Sequence, residues 1–318
     1  MAVLLFMKSE KEEEALNQTI LEYIRETVSA ENVLLNEPMS KHTTFHLGGE
    51  AAVFVNVPSE EALENLIGYF SKVSQPFFVL GKGSNLLVGD KGYGGVILHV
   101  GSKMADIQIN GTQIIAQAGA SLPMIAMTAA KNGLSGLEFA AGIPGSLGGA
   151  IVMNAGAYEG EMKQVVKSVT VLNQTGEIME LDCDTMEFGY RTSIIKNRPF
   201  VVTKVIMELT PGNPDEIKAK IEDFNARRRE KQPLEFPSAG SSFKRPEGYY
   251  AGKLIMDAGL RGLRIGDAQI SEKHCGFIIN RGNATAADVR EVMEETKERV
   301  KLCFGVELEP EIVFLGDF

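Results

Sequence analysis

The amino-acid sequence predicts an α+β fold, and three observations support that prediction. Segments with helical spacing and segments with strand-like patterns are mixed along the chain, without the regular strand–helix alternation of a doubly wound parallel sheet. The chain has 318 residues, a length that suggests two domains. Four breaker residues in succession, Pro211-Gly212-Asn213-Pro214, form the best candidate for a boundary between them.

The first predicted element is a helix over residues 10–30, in which apolar residues recur near helical spacing. Its apolar positions are Ala15, Leu16, Ile20, Ile24 and Val28. Ser59 is the expected N-cap of a second helix, because its hydroxyl can accept a hydrogen bond from the first turn. The other elements expected before the boundary are strands at 53–58, 77–80, 86–88, 96–100 and 200–209, a helix at 121–133, and hairpins at 105–118 and 165–181.

After the boundary the sequence predicts three helices and a closing strand. The helices cover residues 215–231, 250–260 and 285–302, and the strand covers 306–315. This order again favours a small α+β unit.

The composition excludes some classes of function. The net charge of −10 argues against a protein that binds duplex nucleic acid, since such proteins are usually basic. A small anionic substrate remains compatible, because a local group of Arg and Lys side chains can oppose the overall charge. The N-terminus lacks the basic region and long apolar core of a signal peptide, and no apolar run approaches the length of a membrane span.

The chain has three cysteines, Cys183, Cys275 and Cys303, which lie far apart. Their odd number and wide spacing predict a reduced, cytoplasmic protein. Cys275 follows His274, and we expect either a reactive thiol or a small buried apolar side chain at that position.

The first motif that indicates a ligand is Gly81-Lys82-Gly83-Ser84-Asn85-Leu86, which we call the first glycine segment. It departs from the dinucleotide fingerprint, because Leu86 stands at the third glycine position and a strand follows instead of a helix. Its glycines still permit a tight turn whose consecutive N–H groups can bind an anion such as phosphate. An ordinary turn between two strands is the alternative.

A second run of small residues covers 140–157, and we call residues 142–157 the second glycine segment. Small residues over such a length let the backbone lie against a large flat ligand. Close packing of a loop on a helix is the alternative interpretation.

Ser241, Arg191 and Glu311 together offer a hydroxyl, a guanidinium and a carboxylate. No His accompanies Ser241 in its segment, which argues against a hydrolase triad. A hydroxyl that donates a proton, beside a cation that stabilises an anionic intermediate, suits these residues better.

Two other patterns are less specific. His42 and His46 are four residues apart, but no nearby carboxylate completes a ligand set, so we predict no metal. Lys231 ends the basic run that begins at Arg227, and it either belongs to a solvated helix end or reaches a substrate phosphate.

Five motifs occur in the order of a known family. They are Gly81–Leu86, Gly142-Ile143-Pro144-Gly145, Gly189-Tyr190-Arg191, Gly240-Ser241 and Leu308-Glu309-Pro310-Glu311. In this respect the chain resembles the UDP-N-acetylenolpyruvoylglucosamine reductase (MurB) family over residues 30–318. Only four residues separate Pro246 from Ala251, so it resembles the compact form that lacks a tyrosine-bearing insertion.

The resemblance implies an N-terminal helix and lead-in (residues 1–41), a vanillyl-alcohol-oxidase/PCMH-type FAD-binding domain (42–211) and a smaller α+β substrate-binding domain (212–318). It implies non-covalent FAD and NADPH as the hydride donor. It also implies a UDP-sugar enolpyruvyl substrate and a role in peptidoglycan synthesis. Neither nucleic acid nor a membrane is an expected partner.

The resemblance also assigns residues. Arg191, Ser241 and Glu311 would be catalytic, with Ser241 as the proton donor. The implied cofactor contacts are Gly81, Lys82, Gly83, Ser84, Asn85, Leu86, Gly142, Ile143, Pro144, Gly145, Ser146, Gly148, Gly149, Ala150, Asn154, Gly156 and Ala157. The implied substrate contacts are Tyr190, Lys231, Lys244 and Arg245. The alternatives are an FAD-dependent alcohol or sugar oxidase of the same fold and a nucleotide-binding module without enzymatic activity.

Overall fold

The computed structural model describes residues 10–318, and it describes side chains from Gln18 onward. Positions 1–9 of the expected lead-in, and the side chains of Ala15 and Leu16, therefore lie outside the described residues.

The described helices are close to those expected. They are α1 (Glu10–Val28), α2 (Glu60–Val73), α3 (Leu122–Lys131), α4 (Leu147–Met153), α5 (Pro214–Lys231), α6 (Ala251–Asp257) and α7 (Ala286–Phe304). Ser59 caps α2 as predicted, since its Oγ accepts a hydrogen bond from the Ala62 N–H at 3.2 Å. The prediction of a helix to residue 260 was too long, because Gly259 adopts a positive φ of 76° just after α6.

The strands are more numerous and shorter than the sequence indicated. They are β1 (Val33–Pro38), β2 (Glu50–Asn56), β3 (Phe77–Leu80), β4 (Leu86–Val88), β5 (Tyr93–His99), β6 (Ile107–Asn110), β7 (Gln113–Gln117), β8 (Leu134–Ser135), β9 (Gly156–Ala157), β10 (Gly160–Glu161), β11 (Val166–Leu172), β12 (Ile178–Asp182), β13 (Val201–Glu208), β14 (Thr210–Pro211), β15 (Arg264–Ile265), β16 (Ala268–Ile270), β17 (Ile278–Asn280) and β18 (Val313–Leu315). The sequence missed β15 to β17, which are only two or three residues long and lack an extended alternating pattern.

The sheets confirm the α+β class over a doubly wound sheet. One sheet has the order β1-β2-β5-β3 and combines antiparallel and parallel pairs. A five-stranded sheet, β12-β11-β13-β7-β6, is antiparallel throughout. The short strands β15-β16-β17 form a third sheet in the C-terminal part.

The C-terminal part of the chain is joined to the first part by its core and by its last strand. Phe45, Leu47 and Leu87 pack in the same apolar cluster as residues of α6 and α7. The closing strand is limited to Val313–Leu315 and pairs in parallel with β4. The chain therefore returns to the first glycine segment just after Glu311, which brings that carboxylate near the segment's end. The domain boundaries given above remain predictions.

Candidate functional site

The two glycine segments lie against each other. A Cβ added to Gly81 would come within 2.1 Å of the Ser146 Oγ, so the two segments approach each other closely at this point. Gly145 faces Ser84, whose Oγ would lie 3.8 Å from an added Cβ. Two runs that are about 60 residues apart in sequence thus form one surface, as a shared cofactor site requires.

Two positions of this surface, 83 and 145, hold glycine for different physical reasons. Gly83 has a φ of +58°, and an added Cβ would lie 2.1 Å from the His42 carbonyl oxygen. The fold itself therefore requires glycine there. Gly145 is different, because the nearest atoms to an added Cβ are at 3.7 Å or more. Protein packing leaves room for a Cβ at Gly145, so the fold itself does not require glycine there, and we expect the reason to be the approach of a ligand to the backbone. These residues fit a bound FAD.

Not every residue expected to bind the cofactor has a side chain free to do so. Leu86 is 3% exposed and belongs to β4, where it packs in an apolar cluster. The Asn85 amide donates to the Glu311 carbonyl oxygen at 3.0 Å. Asn154 is buried, and both ends of its amide are bonded to backbone groups of Gly189 and Lys163. These three side chains hold the protein together around the surface, whereas Lys82 is exposed.

The other residues expected to contact the cofactor lie along the second glycine segment and the start of α4. Gly148 packs close to Ala118, Gly142 packs against the side chains of Asn225 and Arg228, and Gly156 packs against Gly160. Pro144 and Gly149 are exposed, whereas Ile143 and Ala157 are half-buried and Ala150 is buried.

Arg191 occupies a strained turn. Its φ of 56° is left-handed, which is uncommon for a residue other than glycine. Gly189 and Thr192 exchange backbone hydrogen bonds of 3.1 and 3.3 Å across this turn. The Arg191 Nε donates to the Glu311 Oε1 at 2.8 Å, and its Nη2 donates to the Gly156 carbonyl at 3.3 Å. The structure thus places Arg191 and Glu311 in direct contact, and their joint action in a reaction stays a prediction.

Burial raises the pKa of Glu311 above 4.5, and the positive charges of Arg191, Lys196 and Lys244 oppose that rise. The 2.8 Å ion pair by itself favours the carboxylate, but Glu311 is largely withdrawn from solvent and burial has the larger effect. A proton is therefore more easily held at this carboxyl group than at an ordinary glutamate.

The two neighbouring serines have different surroundings. Ser242 is 1% exposed, and its Oγ accepts a hydrogen bond from the Ile278 N–H at 3.1 Å. Ser241 lines a cavity with Arg191 and Glu311, and its hydroxyl has no hydrogen-bond partner among residues 18–318. The structure thus distinguishes the hydroxyl that faces the cavity from the one that supports the fold.

This cavity has a volume of about 400 Å³. The residues that line it are Tyr190, Arg191, Ser241, Phe243, Arg245, Tyr250, Ala251, Gly252, Lys253, Met256, Arg261, Lys273, His274, Cys275, Gly276 and Glu311. Five of these side chains are cationic and one is a carboxylate. A chain with a net charge of −10 therefore has a locally positive cavity, suited to an anionic ligand.

The expected substrate contacts divide into two pairs. Tyr190 and Arg245 line the cavity, where the Tyr190 hydroxyl accepts a hydrogen bond from the Arg245 N–H at 3.1 Å. Lys244 forms an ion pair with Glu309 and does not line the cavity. Lys231 ends α5, is exposed and does not line it either.

Sequence reasoning missed three cations that line the cavity, Lys253, Arg261 and Lys273. No motif surrounds them, and they come from α6 and from two loops that only the folded chain brings together. Burial raises the pKa of the Cys275 thiol and lowers that of the His274 imidazole, so neither is activated as a thiolate or an imidazolium.

The rest of the described chain offers no competing metal centre. Within residues 18–318, no three His, Cys, Asp or Glu side chains are placed together to hold a metal ion. No helix in the described part has both the length and the apolar character needed to cross a bilayer.

Comparison with known proteins defines the class first. Residues 51–182 match a family model described as an FAD binding domain. Residues 232–315 match the model of the UDP-N-acetylenolpyruvoylglucosamine reductase C-terminal domain. The chain is therefore a flavoprotein in which an FAD-binding region is followed by a C-terminal region of a second family model.

Relatives of nearly full length then give the family. The chain is 51% identical over 300 residues to the UDP-N-acetylenolpyruvoylglucosamine reductase of Caldanaerobacter subterraneus, covering 94% of this chain and 99% of that protein. It is 46% identical over 301 residues to the enzyme of the same name from Clostridioides difficile, with 95% and 99% coverage. The chain belongs to the UDP-N-acetylenolpyruvoylglucosamine reductase family, which confirms the resemblance.

Solved structures agree. The reductase (MurB) from Thermus caldophilus aligns with a TM-score of 0.78 at 35% identity, over 89% of this chain and 98% of that one. The 4-ethylphenol oxidase from Gulosibacter chungangensis aligns with a TM-score of 0.50 at 15% identity, over 97% of this chain and 66% of that one. The second match supports only the PCMH-type fold.

Proposed function

We propose that this protein reduces the enolpyruvyl ether of UDP-N-acetylglucosamine-enolpyruvate to UDP-N-acetylmuramate, with NADPH as the reductant. The observation that supports it best is the placement of Ser241, Arg191 and Glu311 on one cavity. Arg191 and Glu311 also contact the two glycine segments, through the Gly156 carbonyl and the Asn85 amide. Arg191 and Glu311, which share the cavity with Ser241, thus lie next to the residues to which we assign the flavin.

Bound FAD, once reduced by NADPH, would supply a hydride to the methylene carbon of the enolpyruvyl group. We assign Gly145 and Ser84 to the FAD site, because they bring the two glycine segments together and neither position is crowded by other protein atoms.

Arg191 would stabilise the charge that develops during the reaction. When the methylene carbon gains a hydride, negative charge appears on the adjacent α carbon and its carboxylate. A planar guanidinium can bind a carboxylate through two N–H groups. The Arg191 Nε is bonded to Glu311, which fixes the direction of the guanidinium.

Ser241 would complete the reduction by donating a proton to the α carbon, so that the double bond gains one hydride and one proton. Its hydroxyl faces the cavity and lacks a competing partner among the described side chains. Glu311, whose pKa is raised by burial, would hold a proton near the substrate carboxylate or orient it.

The remaining cations explain a nucleotide substrate. Arg245, Lys253, Arg261 and Lys273, which we call the cationic rim, line the same cavity. We assign to this rim the diphosphate of the UDP group, because clustered Arg and Lys side chains favour phosphate oxygens.

We also place the protein in the cytoplasm, which agrees with its three free cysteines.

The test is a pair of anaerobic half-reactions with the purified flavoprotein. NADPH should bleach the flavin absorbance, and the enolpyruvyl substrate should restore it without oxygen. If only oxygen restores the absorbance and an alcohol or sugar bleaches it, the protein is an oxidase of the same fold. If the purified protein holds no flavin and binds none, the proposal is wrong.

A further inference from the structure

The turn that carries Arg191 is held from behind by the end of helix α4. Asn154, the residue that ends α4, is 1% exposed and has a left-handed φ of 42°. Its Nδ2 donates to the Gly189 carbonyl at 3.1 Å, and its Oδ1 accepts from the Lys163 N–H at 2.9 Å. One buried amide thus joins α4 both to the Arg191 turn and to the segment after β10.

The Gly189 carbonyl oxygen accepts two hydrogen bonds at this turn. The bond from the Thr192 N–H closes the turn, and the bond from the Asn154 amide attaches it to the end of α4. On the far side of Arg191, the Ser193 Oγ donates to the Val152 carbonyl at 3.0 Å, which is a second bond to the end of α4. The turn is fastened to α4 both before and after Arg191.

Arg191 needs such support, because its own backbone conformation is unfavourable. Left-handed non-glycine residues persist where the surrounding structure imposes them, and they are concentrated at functional sites. Without the Asn154 donor, the Gly189 carbonyl keeps only its bond within the turn. We expect the turn, and with it the Arg191 guanidinium, to be less firmly placed when only the Ser193, Gly156 and Glu311 bonds remain.

We infer that Asn154 is a positioning residue for Arg191. Its side chain does not contact a substrate, because both ends of the amide are bonded to protein backbone, and the bond from its Nδ2 is the one that reaches the Arg191 turn. The same seven-residue helix follows Ser146, which lies on the surface formed by the two glycine segments. Helix α4 therefore also fixes the distance between that surface and Arg191. This inference rests on the proposed function, since it assigns Asn154 to the step that needs Arg191.

The decisive variant is Asn154→Asp. Aspartate keeps the size of asparagine, tolerates the left-handed conformation and can still accept from the Lys163 N–H. It cannot donate to the Gly189 carbonyl when ionised. The matched control is Asn132→Asp, because Asn132 also ends a helix and donates to a carbonyl, that of Thr128 at 2.8 Å, but is exposed.

We expect Asn154→Asp to slow reoxidation of the flavin by the enolpyruvyl substrate roughly tenfold to a hundredfold, as for a misplaced catalytic group. Reduction by NADPH and the flavin content should stay within about twofold of the unchanged protein, and Asn132→Asp should change neither rate.

A double-mutant cycle gives the sharper readout. In an Arg191→Lys background, adding Asn154→Asp should slow reoxidation by less than about twofold, because the residue through which it acts is already altered.

Three results would overturn the inference. Slowing in the Arg191→Lys background as large as in the unchanged protein would show that Asn154 acts independently of Arg191. Loss of flavin, or equal slowing of both half-reactions, would make Asn154 a cofactor-site residue. No change in reoxidation for both Asn154→Asp and Asn154→Gly would give it no role; both variants are needed, because a buried aspartate that stays protonated can still donate to the Gly189 carbonyl. If Asn154→Asp does not fold, Asn154→Gly decides by the same criteria, since glycine accepts the left-handed backbone.

A failure of the proposed function would give a different result from a failure of this inference. If the proposed function is wrong, the reduced flavin of the unchanged protein is not reoxidised by the enolpyruvyl substrate.

Discussion

The cofactor surface and the cavity beside it are built in opposite ways. The cofactor surface is made mostly of backbone, from two runs of small residues that meet at Gly81 and Ser146 and at Gly145 and Ser84. The cavity is made of side chains, and its five cations come from five separate places in the chain between Tyr190 and Gly276. In the proposed function, the first region binds the flavin through the shape of its backbone, whereas the second supplies positive charge and a proton.

This difference implies that the two regions fail differently when changed. A substitution in the cofactor surface should alter flavin binding or the fold, because backbone spacing is what matters there. A substitution in the cavity should leave the flavin in place and slow one half-reaction. Arg191 and Glu311 belong to the cavity but contact the two glycine segments. Variants of these two residues therefore test most directly whether the two regions act independently.

The largest effect should come from Ser241→Ala. We expect reoxidation of the flavin by the enolpyruvyl substrate to slow about a thousandfold, because a positioned proton donor is lost. Reduction by NADPH needs no such proton on carbon and should be nearly unchanged. Stopped-flow absorbance measures the two half-reactions separately, and equal slowing of both would remove Ser241 from the role of donor.

Ser242→Ala is the matched control for that experiment. Its hydroxyl accepts the Ile278 N–H and is buried, so the variant should lose about 1 kcal/mol of unfolding free energy instead of catalytic rate. A larger kinetic effect at Ser242 than at Ser241 would mean that the donor has been placed wrongly.

The next largest effect should come from Arg191→Lys. Lysine keeps the charge but cannot bind a carboxylate through two N–H groups, so turnover should fall by about two orders of magnitude. Substrate affinity should fall less, because the cationic rim is intact. Steady-state kinetics and flavin content together test this, and near-normal turnover would show that Arg191 does not stabilise the transition state.

The cofactor surface can be tested with a contrasting pair of glycines. Gly145→Val should fold, since an added Cβ meets nothing nearer than 3.7 Å, but it should weaken FAD binding by roughly tenfold to a hundredfold. Gly83→Ala should instead lower the unfolding free energy by about 1–3 kcal/mol, because φ is +58° and the His42 carbonyl is too close. Titration with FAD and denaturant unfolding distinguish them. Full flavin affinity in a folded Gly145→Val protein would contradict the assigned surface.

The same contrast explains what the sequence could and could not predict. The glycine segments, Arg191, Ser241 and Glu311 stand in local motifs, and the helices with clear caps, such as α2 and α7, were placed closely. Lys253, Arg261 and Lys273 have no local motif, because only tertiary structure collects them. Where β18 returns to β4, the side chains of Asn85 and Leu86 are used for holding Glu311 and for packing, so the cofactor contacts predicted for these two residues would be made by their backbone. That parallel pairing joins residues more than 220 positions apart, which no local pattern indicates.

The smallest expected effect concerns the pH dependence of stability at Glu311. Because burial raises its pKa above 4.5, the folded protein holds this proton more tightly than the unfolded chain does. The stability that Glu311 contributes is therefore complete below the unfolded pKa and is lost as the pH rises through the folded pKa. The loss is at most about 1.4 kcal/mol for each tenfold difference in proton affinity between the folded and unfolded chains.

The variant Glu311→Gln removes this titration, while the amide oxygen of glutamine can still accept a hydrogen bond from Arg191. The unfolding free energy of this variant minus that of the unchanged protein should rise from about pH 4.5 upward and then level off, in denaturant unfolding at a series of pH values. A difference that falls over that range would mean that the Arg191 ion pair outweighs burial, and that Glu311 is an ordinary carboxylate at neutral pH.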